Sequence, residues 1–259
     1  MKKTLLYILA SAISVYAQAQ LKPIGSWTDH LPLKKGTSIA SDGKLIYAGT
    51  QTGIFTYSTE DNSLQKYTKV NLLNDVSVSK LAYSSSYKTL IIVYDNANID
   101  LIRSGEITNI PFIKLSNEEK VINEIKIIAN LAYLSMAYGI TVVDLERQEI
   151  VDTYKFGING TAININSVDQ LGNNIYAATD KGIRTASLSS NLLDFNSWTV
   201  VATKSTATIY TAWENNGSIN FVFQQGPAKD SILTFDGNQF TTNKALADFN
   251  FVSLSETIA

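Results

Sequence analysis

Two short apolar strands joined by a polar turn recur along this chain, and such a repeat restricts the possible folds more than any other feature. The clear copies begin at residues 45, 90, 131 and 174, so their starts are 45, 41 and 43 residues apart. They read LIYAGTQTGIFTY, LIIVYDNANIDLI, LAYLSMAYGITVV and NIYAATDKGIRTA. A fifth, looser copy begins near Ser218 with INFVF, a longer QQGPAKD turn and SILTF.

The turn of each clear copy contains glycine or asparagine at the same place. Counting eight residues from each start gives Gly53, Asn98, Gly139 and Gly182. These two residue types adopt positive φ most easily, as a tight hairpin turn requires. We therefore expect hairpin turns at these four positions, with positive φ at most of them.

Further strand-like segments flank each copy, one before it and a more polar one after it. Four antiparallel strands in every 41–45 residues are typical of a propeller blade. Helical repeats would place apolar residues at i, i+3 and i+4, whereas these segments alternate or stay apolar for five or six residues. A sandwich or barrel gives no reason for so regular a period. The sequence therefore predicts an all-β fold, a β-propeller of four-stranded antiparallel blades with about five blades present.

The repeat count indicates an incomplete ring. We assign a short preceding segment to 20–36 and the propeller to 37–259, with blades at approximately 37–75, 76–118, 119–160, 161–204 and 205–245 and a partial sixth at 246–259. Propellers close on themselves to hide their sheet edges. An unfinished sixth copy therefore favours a fragment of a longer protein. A closed five-bladed ring, with Trp27 completing the last blade, is the alternative.

The N-terminus has the layout of a secretory signal peptide. Lysines at positions 2 and 3 precede an apolar stretch over residues 5–15, and the AQA run at 17–19 provides a cleavage site. An uncleaved membrane anchor is the alternative, but the apolar stretch is too short to span a bilayer comfortably. We expect residues 1–19 to be removed and the protein to be exported.

Composition excludes several classes of chemistry. The formal charge is −2, and without the two N-terminal lysines it becomes −4, so no basic surface for nucleic acid is expected. The chain has no cysteine and one histidine, His30, which excludes zinc sites built from Cys and His and Cys–His nucleophile pairs. A Ser-His-Asp triad would need His30, which precedes the repeats.

Other polar and aromatic patterns have ordinary structural explanations. The DNANID run at 95–100 superficially resembles a calcium loop, but Ala97 and Ile99 stand where oxygen ligands belong, so we interpret the run as a turn. Asp95 and Asp180 occupy equivalent turns, and we assign no catalytic pair of carboxylates to them. Six tyrosines recur in strands, where we expect packing between blades rather than sugar binding: Tyr47, Tyr57, Tyr83, Tyr133, Tyr138 and Tyr176.

The segment from Tyr47 to Ile102 resembles the N-terminal propeller of PorZ-type proteins, which is similar to two-component-regulator propeller repeats. Residues 132–157 and the WTDHLP run that begins at Trp27 also resemble the PorZ-type propeller. The resemblance covers roughly residues 25–245, and its most specific parts are NANIDLI at 96–102 and AYLS…GI…VVDL at 132–145. The chain departs from it at NLLND, residues 71–75, where the family more usually has a Gly-Leu-Ser-Asp type of turn.

This resemblance implies a non-enzymatic, surface-exposed component of the type IX secretion system of Bacteroidota, associated with the outer membrane. The implied partners are lipopolysaccharide, which it would bind and deliver, and other subunits of the attachment complex. One of these is a sortase-like subunit that cleaves cargo signals and joins cargo to lipopolysaccharide. Further domains after the first propeller are implied as well. No motif marks ligand-binding residues, and we assign no catalytic residue, metal ligand or cofactor.

Two other functions remain open. One is the ligand-sensing periplasmic propeller of a hybrid two-component regulator, which would continue into a membrane helix and a kinase. The other is a propeller polysaccharide lyase or glycosidase, which would need acids, histidine or tyrosine clustered at the central mouth of the ring.

Overall fold

A computed structural model describes residues 34–201, 208–226 and 229–247 of this chain. Within these ranges, twenty β-strands pair in sequence order into five separate four-stranded antiparallel sheets. Helical structure among the same residues is confined to α1 (Phe112–Leu115) and two short 3-10 turns, Ile158–Gly160 and Phe195–Ser197. The predicted all-β propeller of four-stranded blades is confirmed.

Each blade is a meander in which every strand pairs with the next one. Blade 1 has β1 (Gly36–Ser41), β2 (Leu45–Thr50), β3 (Gly53–Ser58) and β4 (Leu64–Tyr67). Blade 2 has β5 (Val78–Ser84), β6 (Thr89–Tyr94), β7 (Ile99–Arg103) and β8 (Glu106–Ile110). Blade 3 has β9 (Ile122–Ile128), β10 (Leu131–Met136), β11 (Gly139–Asp144) and β12 (Glu149–Tyr154). Blade 4 has β13 (Ile165–Leu171), β14 (Asn174–Thr179), β15 (Gly182–Ser187) and β16 (Thr199–Val200). Blade 5 has β17 (Ile209–Asn215), β18 (Ser218–Gly226), β19 (Lys229–Phe235) and β20 (Phe240–Ala247).

The first strands of successive blades lie side by side around the axis. β1 packs beside β5, β5 beside β9, β9 beside β13, and β13 beside β17. Among the described strands, no comparably extensive contact joins β17 back to β1. The ring is therefore incomplete over these residues, as the repeat count predicts. His30, Trp27 and the stretch expected to open a sixth blade lie outside the described residues.

Burial at the first strands shows which side of the ring is open. Leu81, Val168 and Ala212 occupy equivalent positions in β5, β13 and β17, and each is at most 8% exposed because the preceding blade covers it. Ile39 holds the same position in β1 and is 70% exposed. The side of blade 1 that faces away from blade 2 therefore has no blade against it among the described residues.

A bulge near the start of each first strand is used to join neighbouring blades. In blades 1, 3 and 4 the side chain of the bulged residue donates a hydrogen bond to a carbonyl at the equivalent place in the next blade. The pairs are Thr37 Oγ1 to Val78 O (2.6 Å), Asn123 Nδ2 to Ile165 O (2.7 Å) and Asn166 Nδ2 to Ile209 O (2.7 Å).

The residue after each of these bulges accepts a hydrogen bond in return. The backbone N–H groups of the next blade donate to its side chain in the pairs Leu81 to Ser38 (2.9 Å), Val168 to Glu124 (3.0 Å) and Ala212 to Ser167 (3.1 Å). Blade 2 differs, because Ser79 Oγ donates to Val93 O of its own blade. The junction between blades 2 and 3 therefore lacks the link that the bulged residue makes at the other three described junctions.

The turns between second and third strands show why glycine recurs there. Gly53, Gly139 and Gly182 have φ of +151°, +150° and +92°. A Cβ atom at Gly139 would lie 2.1 Å from the carbonyl oxygen of Tyr154, so only glycine fits without a backbone shift. Asn98 lacks positive φ. In blade 2 the N–H of Tyr94 donates to the carbonyl of Asn98 (3.0 Å), so the turn contains the three residues 95–97 instead of two, and its left-handed residue is Ala97, at φ +60°.

We expect that shortening a side chain on the open side of blade 1 destabilises the protein less than shortening one on a side that another blade covers. Leu81→Ala should lower the free energy of unfolding by about 2–4 kcal/mol, because it leaves a cavity between two blades. Ile39→Ala, at the equivalent position, should change it by less than about 0.5 kcal/mol. Urea unfolding of the two variants of the 259-residue chain tests this, and equal losses would mean that Ile39 is covered.

Candidate functional site on the connection face

One end of the propeller carries the connections between blades and the turns between second and third strands, and we call it the connection face. Backbone hydrogen bonds tie these two sets of loops together, as in Ser77 N to Gln51 O (3.0 Å) and Asp95 N to Ser77 O (2.9 Å). Each connection is therefore fixed to the adjacent turns, and side chains from both are brought together.

Asp75 is the centre of a buried polar cluster on this face, between the β4–β5 connection and the β6–β7 turn. Its Oδ2 accepts hydrogen bonds from Lys114 Nζ (2.6 Å), Asn96 Nδ2 (2.7 Å) and Asn98 Nδ2 (3.4 Å). Burial alone would raise the pKa of Asp75, but the hydrogen bonds from Lys114 and Asn96 outweigh it and lower that pKa to about 2. Asp75 is therefore an anion at neutral pH, and it holds α1 against the blade through Lys114.

Asp100 is a second carboxylate beside the first and is fully buried. Its Oδ2 accepts from Asn74 N (2.9 Å) and the Tyr94 hydroxyl (2.5 Å), and its Oδ1 accepts from Asn74 Nδ2 (3.0 Å) and Asn109 Nδ2 (2.8 Å). Four donors thus satisfy this carboxylate. The cluster fixes the β4–β5 connection to blade 2.

The cluster explains two segments that the sequence marks only as loops. Residues 71–75, which depart from the usual family turn, supply Asn74 and Asp75, and the DNANID run supplies Asn96, Asn98 and Asp100. Their oxygens face amide and ammonium donors rather than one another. Among the described residues, no three His, Cys, Asp or Glu side chains come close enough to hold a metal ion.

The helix α1 presents apolar side chains outward on the connection face. Ile113 is buried, whereas Phe112 is 62% and Leu115 76% exposed. Lys120 donates to the carbonyls of Ile113 and Ser116, so its positive charge lies at the C-terminal end of the helix. Val121 follows it and is also exposed. We call Phe112, Leu115, Lys120 and Val121 the α1 surface, which combines apolar groups with a cation.

A second group of charges lies where blades 3 and 4 meet near the axis. Lys126 Nζ is 2.9 Å from Asp169 Oδ2, which also accepts from the backbone N–H of Glu214 (2.7 Å). Burial raises the pKa of the neighbouring Glu124 to about 7, although Ser167, the Val168 N–H and Lys126 act in the opposite direction. This carboxyl therefore changes its charge near neutral pH while it bridges two blades.

The remaining residues considered from the sequence lie apart from these clusters. Asp95 and Asp180 are exposed in separate turns of blades 2 and 4. Tyr133, Tyr138 and Tyr176 are at most 5% exposed. Tyr47 and Tyr83 stack across blades 1 and 2, with centroids 6.1 Å apart. These tyrosines serve packing between blades. The hydrogen bonds of Asn74, Asp75 and Asp100 could not be predicted from the sequence, because their partners come from loops, strands and a helix that are separate in the chain.

Comparison with known proteins agrees with this geometry. The fold defines a β-propeller with fixed loops on its connection face. Residues 46–199, more than half of the chain, match the family model described as "TSS9, PorZ, N-terminal beta-propeller domain". The chain belongs to this family of type IX secretion system components. None of the curated proteins matches it.

Several solved structures share the fold. PorZ of Porphyromonas gingivalis, an essential bacterial surface component of the type IX secretion system, is 23% identical with a TM-score of 0.75, over 86% of this chain and 29% of that one. An extracellular domain assigned to a hybrid two-component system of B. thetaiotaomicron is 11% identical with a TM-score of 0.55, over 82% and 34%. The AfRom2 CNH domain is 13% identical with a TM-score of 0.56, over 85% and 76%. The chain thus spans less than a third of the length of the PorZ structure.

Within the described part of the chain, no helix is both long and apolar enough to cross a bilayer.

We expect the Asp75 cluster to lose its contribution to stability in acid. Its folded pKa of about 2 lies below the ordinary value of 3.8, so the stabilisation is complete above about pH 4 and is lost as the pH falls through about 2. Asp75→Asn should lower the free energy of unfolding by about 2 kcal/mol at pH 7 and much less at pH 2. The matched control is Asp180→Asn, which should have little effect at either pH. A constant Asp75→Asn effect across this range would contradict the assignment.

Glu124 should have the opposite pH dependence. Its folded pKa of about 7 lies above the ordinary value of 4.5, so the stabilisation is present below about pH 4.5 and is lost as the pH rises through about 7. Glu124→Gln should therefore be more stable than the original chain at pH 8, by on the order of 2 kcal/mol, and similar to it at pH 4. Urea unfolding at both pH values measures this, with the exposed Glu119→Gln as control. If Glu124→Gln is less stable than the original chain at pH 8, the ionised Glu124 carboxylate stabilises the fold and the prediction is wrong.

Proposed function

We propose that this chain is the propeller of a non-enzymatic cell-surface component of the type IX secretion system. The full protein would bind and deliver lipopolysaccharide and act as a scaffold for cargo attachment, together with other subunits that include a sortase-like one. The observation that carries this proposal is the family match over residues 46–199. The similarity in fold to PorZ over 86% of the chain supports it.

The connection face suits a scaffold. Its loops are held in place by Asp75 and Asp100, whose hydrogen bonds come from three different segments. A rigid sheet framework with fixed loops can present a binding surface at low entropic cost. The carboxylates of this cluster are occupied by structural hydrogen bonds, which favours binding over hydrolysis as the function.

The α1 surface is the part of this face that we assign to lipopolysaccharide. Lipopolysaccharide combines acyl chains with negatively charged phosphate groups. Leu115 and Val121 offer exposed apolar area, and Lys120 offers a positive charge for which no carboxylate partner occurs among the described residues. Exposed apolar groups near a cation are suited to such an amphiphilic anion.

Export is part of the proposal. Residues 1–19 have the layout of a cleaved signal peptide, and the solved relatives include a bacterial surface protein and an extracellular domain. We place the protein at the cell surface, associated with the outer membrane. Its blades are divided at the boundaries that the sequence repeats indicate.

A ligand-sensing propeller of a hybrid two-component regulator is the second candidate. The specific observation in its favour is the fold shared with an extracellular domain assigned to such a system, which extends over 82% of this chain. The PorZ family match and the higher TM-score for PorZ favour the secretion function.

Deletion of the gene should leave cargo exported but released or unprocessed, because cargo would no longer be anchored. The purified full-length protein should bind lipopolysaccharide of its own organism. Leu115→Ser combined with Val121→Ser should weaken this binding by about tenfold, since two apolar contacts with the acyl chains are lost. Leu64→Ser, which changes a 68% exposed leucine on blade 1, is the matched control and should bind as before.

Two results would contradict the proposal at different levels. Normal cargo anchoring in the deletion strain would remove the secretion function and favour the sensor. Normal anchoring by the Leu115/Val121 double variant, with unchanged lipopolysaccharide binding, would instead show that the ligand contacts another surface.

A further inference from the structure

The outer strands of blades 2 and 3 enclose a cleft of about 500 Å³. Residues 109–112 line it on the side of blade 2, and residues 148–153 line it on the side of blade 3. Thr108 donates a hydrogen bond to Gln148 (2.9 Å) across the cleft, and Arg103 reaches the carbonyl of Leu145. These contacts close the cleft at the end away from the connection face, so the two blades diverge only beyond them.

The lining shows that the cleft runs along an edge of β12 and not along a face. Adjacent residues of a strand point to opposite faces of the sheet. Ile150 packs into the core between blades 2 and 3, and Val151 into the core between blades 3 and 4. Both nevertheless line the cleft together with their neighbours. A cleft lined by six consecutive residues must therefore border the backbone edge of the strand.

This edge is available for pairing. β12 is the last strand of its blade, and among the described strands it pairs only with β11. Its outward backbone N–H and C=O groups therefore face the cleft, where an added strand would satisfy them. A bulge at Val151 interrupts the ladder with β11 and twists the edge. The bulge favours a short, specific guest strand over open-ended association.

The charge of the cleft favours a cationic guest. Glu149 and Asp152 are the ionisable residues among those that line it. Arg147 already pairs with Glu149, at 3.2 Å. Asp152 has the Tyr154 hydroxyl at 3.4 Å and no cationic partner among the described residues. Asp152 lies opposite Val142 and beside Tyr154, on the face of β12 that is turned toward blade 4. A lysine or arginine of an added strand, directly across from Asp152 on that face, would complete an ion pair with it.

We propose that this cleft binds an extended segment of a partner polypeptide. The segment adds as a strand to the free edge of β12, places a lysine or arginine against Asp152, and packs an apolar side chain against the exposed ring of Phe112. Main-chain hydrogen bonds supply the affinity, and these two side-chain contacts supply the specificity. The site shares Phe112 with the α1 surface but uses neither Leu115 nor Val121.

The test begins with a phage-displayed library of random peptides selected on the purified full chain. We expect the selected peptides to carry a lysine or arginine among alternating apolar residues. A synthetic copy of the strongest one should slow amide hydrogen exchange in β12 (Glu149–Tyr154). Asp152→Lys should weaken its binding by about tenfold, because attraction becomes repulsion. Asp180→Lys makes the same charge change at an exposed site in blade 4 and should stay within about twofold.

A second variant keeps the test decisive if Asp152→Lys disturbs folding. Asp152→Asn preserves the shape of the side chain and should weaken binding by about threefold, with an unchanged thermal unfolding temperature. The proposal is overturned if selection yields no binding peptide, or if the selected peptides lack basic residues. It is equally overturned if hydrogen exchange is slowed elsewhere than in β12, or if both Asp152 variants bind as tightly as the original chain.

Discussion

The sheets of blades 2, 3 and 4 are apolar on both faces, so such a blade reaches its full burial only when another blade stands on each side. The cores between blades show this directly: residues of blades 2 and 3 form one cluster, and residues of blades 3 and 4 form another. Burial of apolar surface is the main favourable term here, since the chain has no cysteine for disulfide bonds. Ile39, which has no preceding blade among the described residues, shows what an uncovered position looks like.

Apolar packing alone does not set how the blades are aligned, and the bulged first strands provide that alignment. Side chains of Thr37, Asn123 and Asn166 reach a carbonyl at the same place in the next blade, so the offset between successive sheets is fixed by hydrogen bonds. Such bonds are directional, whereas burial is not. Glu124 fills the accepting position at one junction, which places an ionisable group where blades 1 and 4 use serine.

The junction between blades 2 and 3 differs from its neighbours, and both functional proposals depend on it. Its inner strands lack the bulge link, because Ser79 bonds within its own blade. Contacts farther out replace it, through Arg103 and Thr108. Helix α1 occupies the connection between these blades and is held by Asp75. The cleft beside β12 and the α1 surface are therefore both consequences of how one junction is built.

The sequence by itself determined the class of fold. The repeat period, the turn residues and the alternation within strands are local properties of the chain. They therefore predict the blades, the incomplete ring and the hairpin turns at Gly53 and Gly139. The expected positive φ at most of these turns is found at Gly53, Gly139 and Gly182, whereas in blade 2 one extra turn residue moves it from Asn98 to Ala97. Only the tertiary structure decided the Asp75 cluster, the raised pKa of Glu124 and the cleft at β12. Each joins residues from separate loops or blades, and their charges and contacts depend on distances that a linear pattern does not contain.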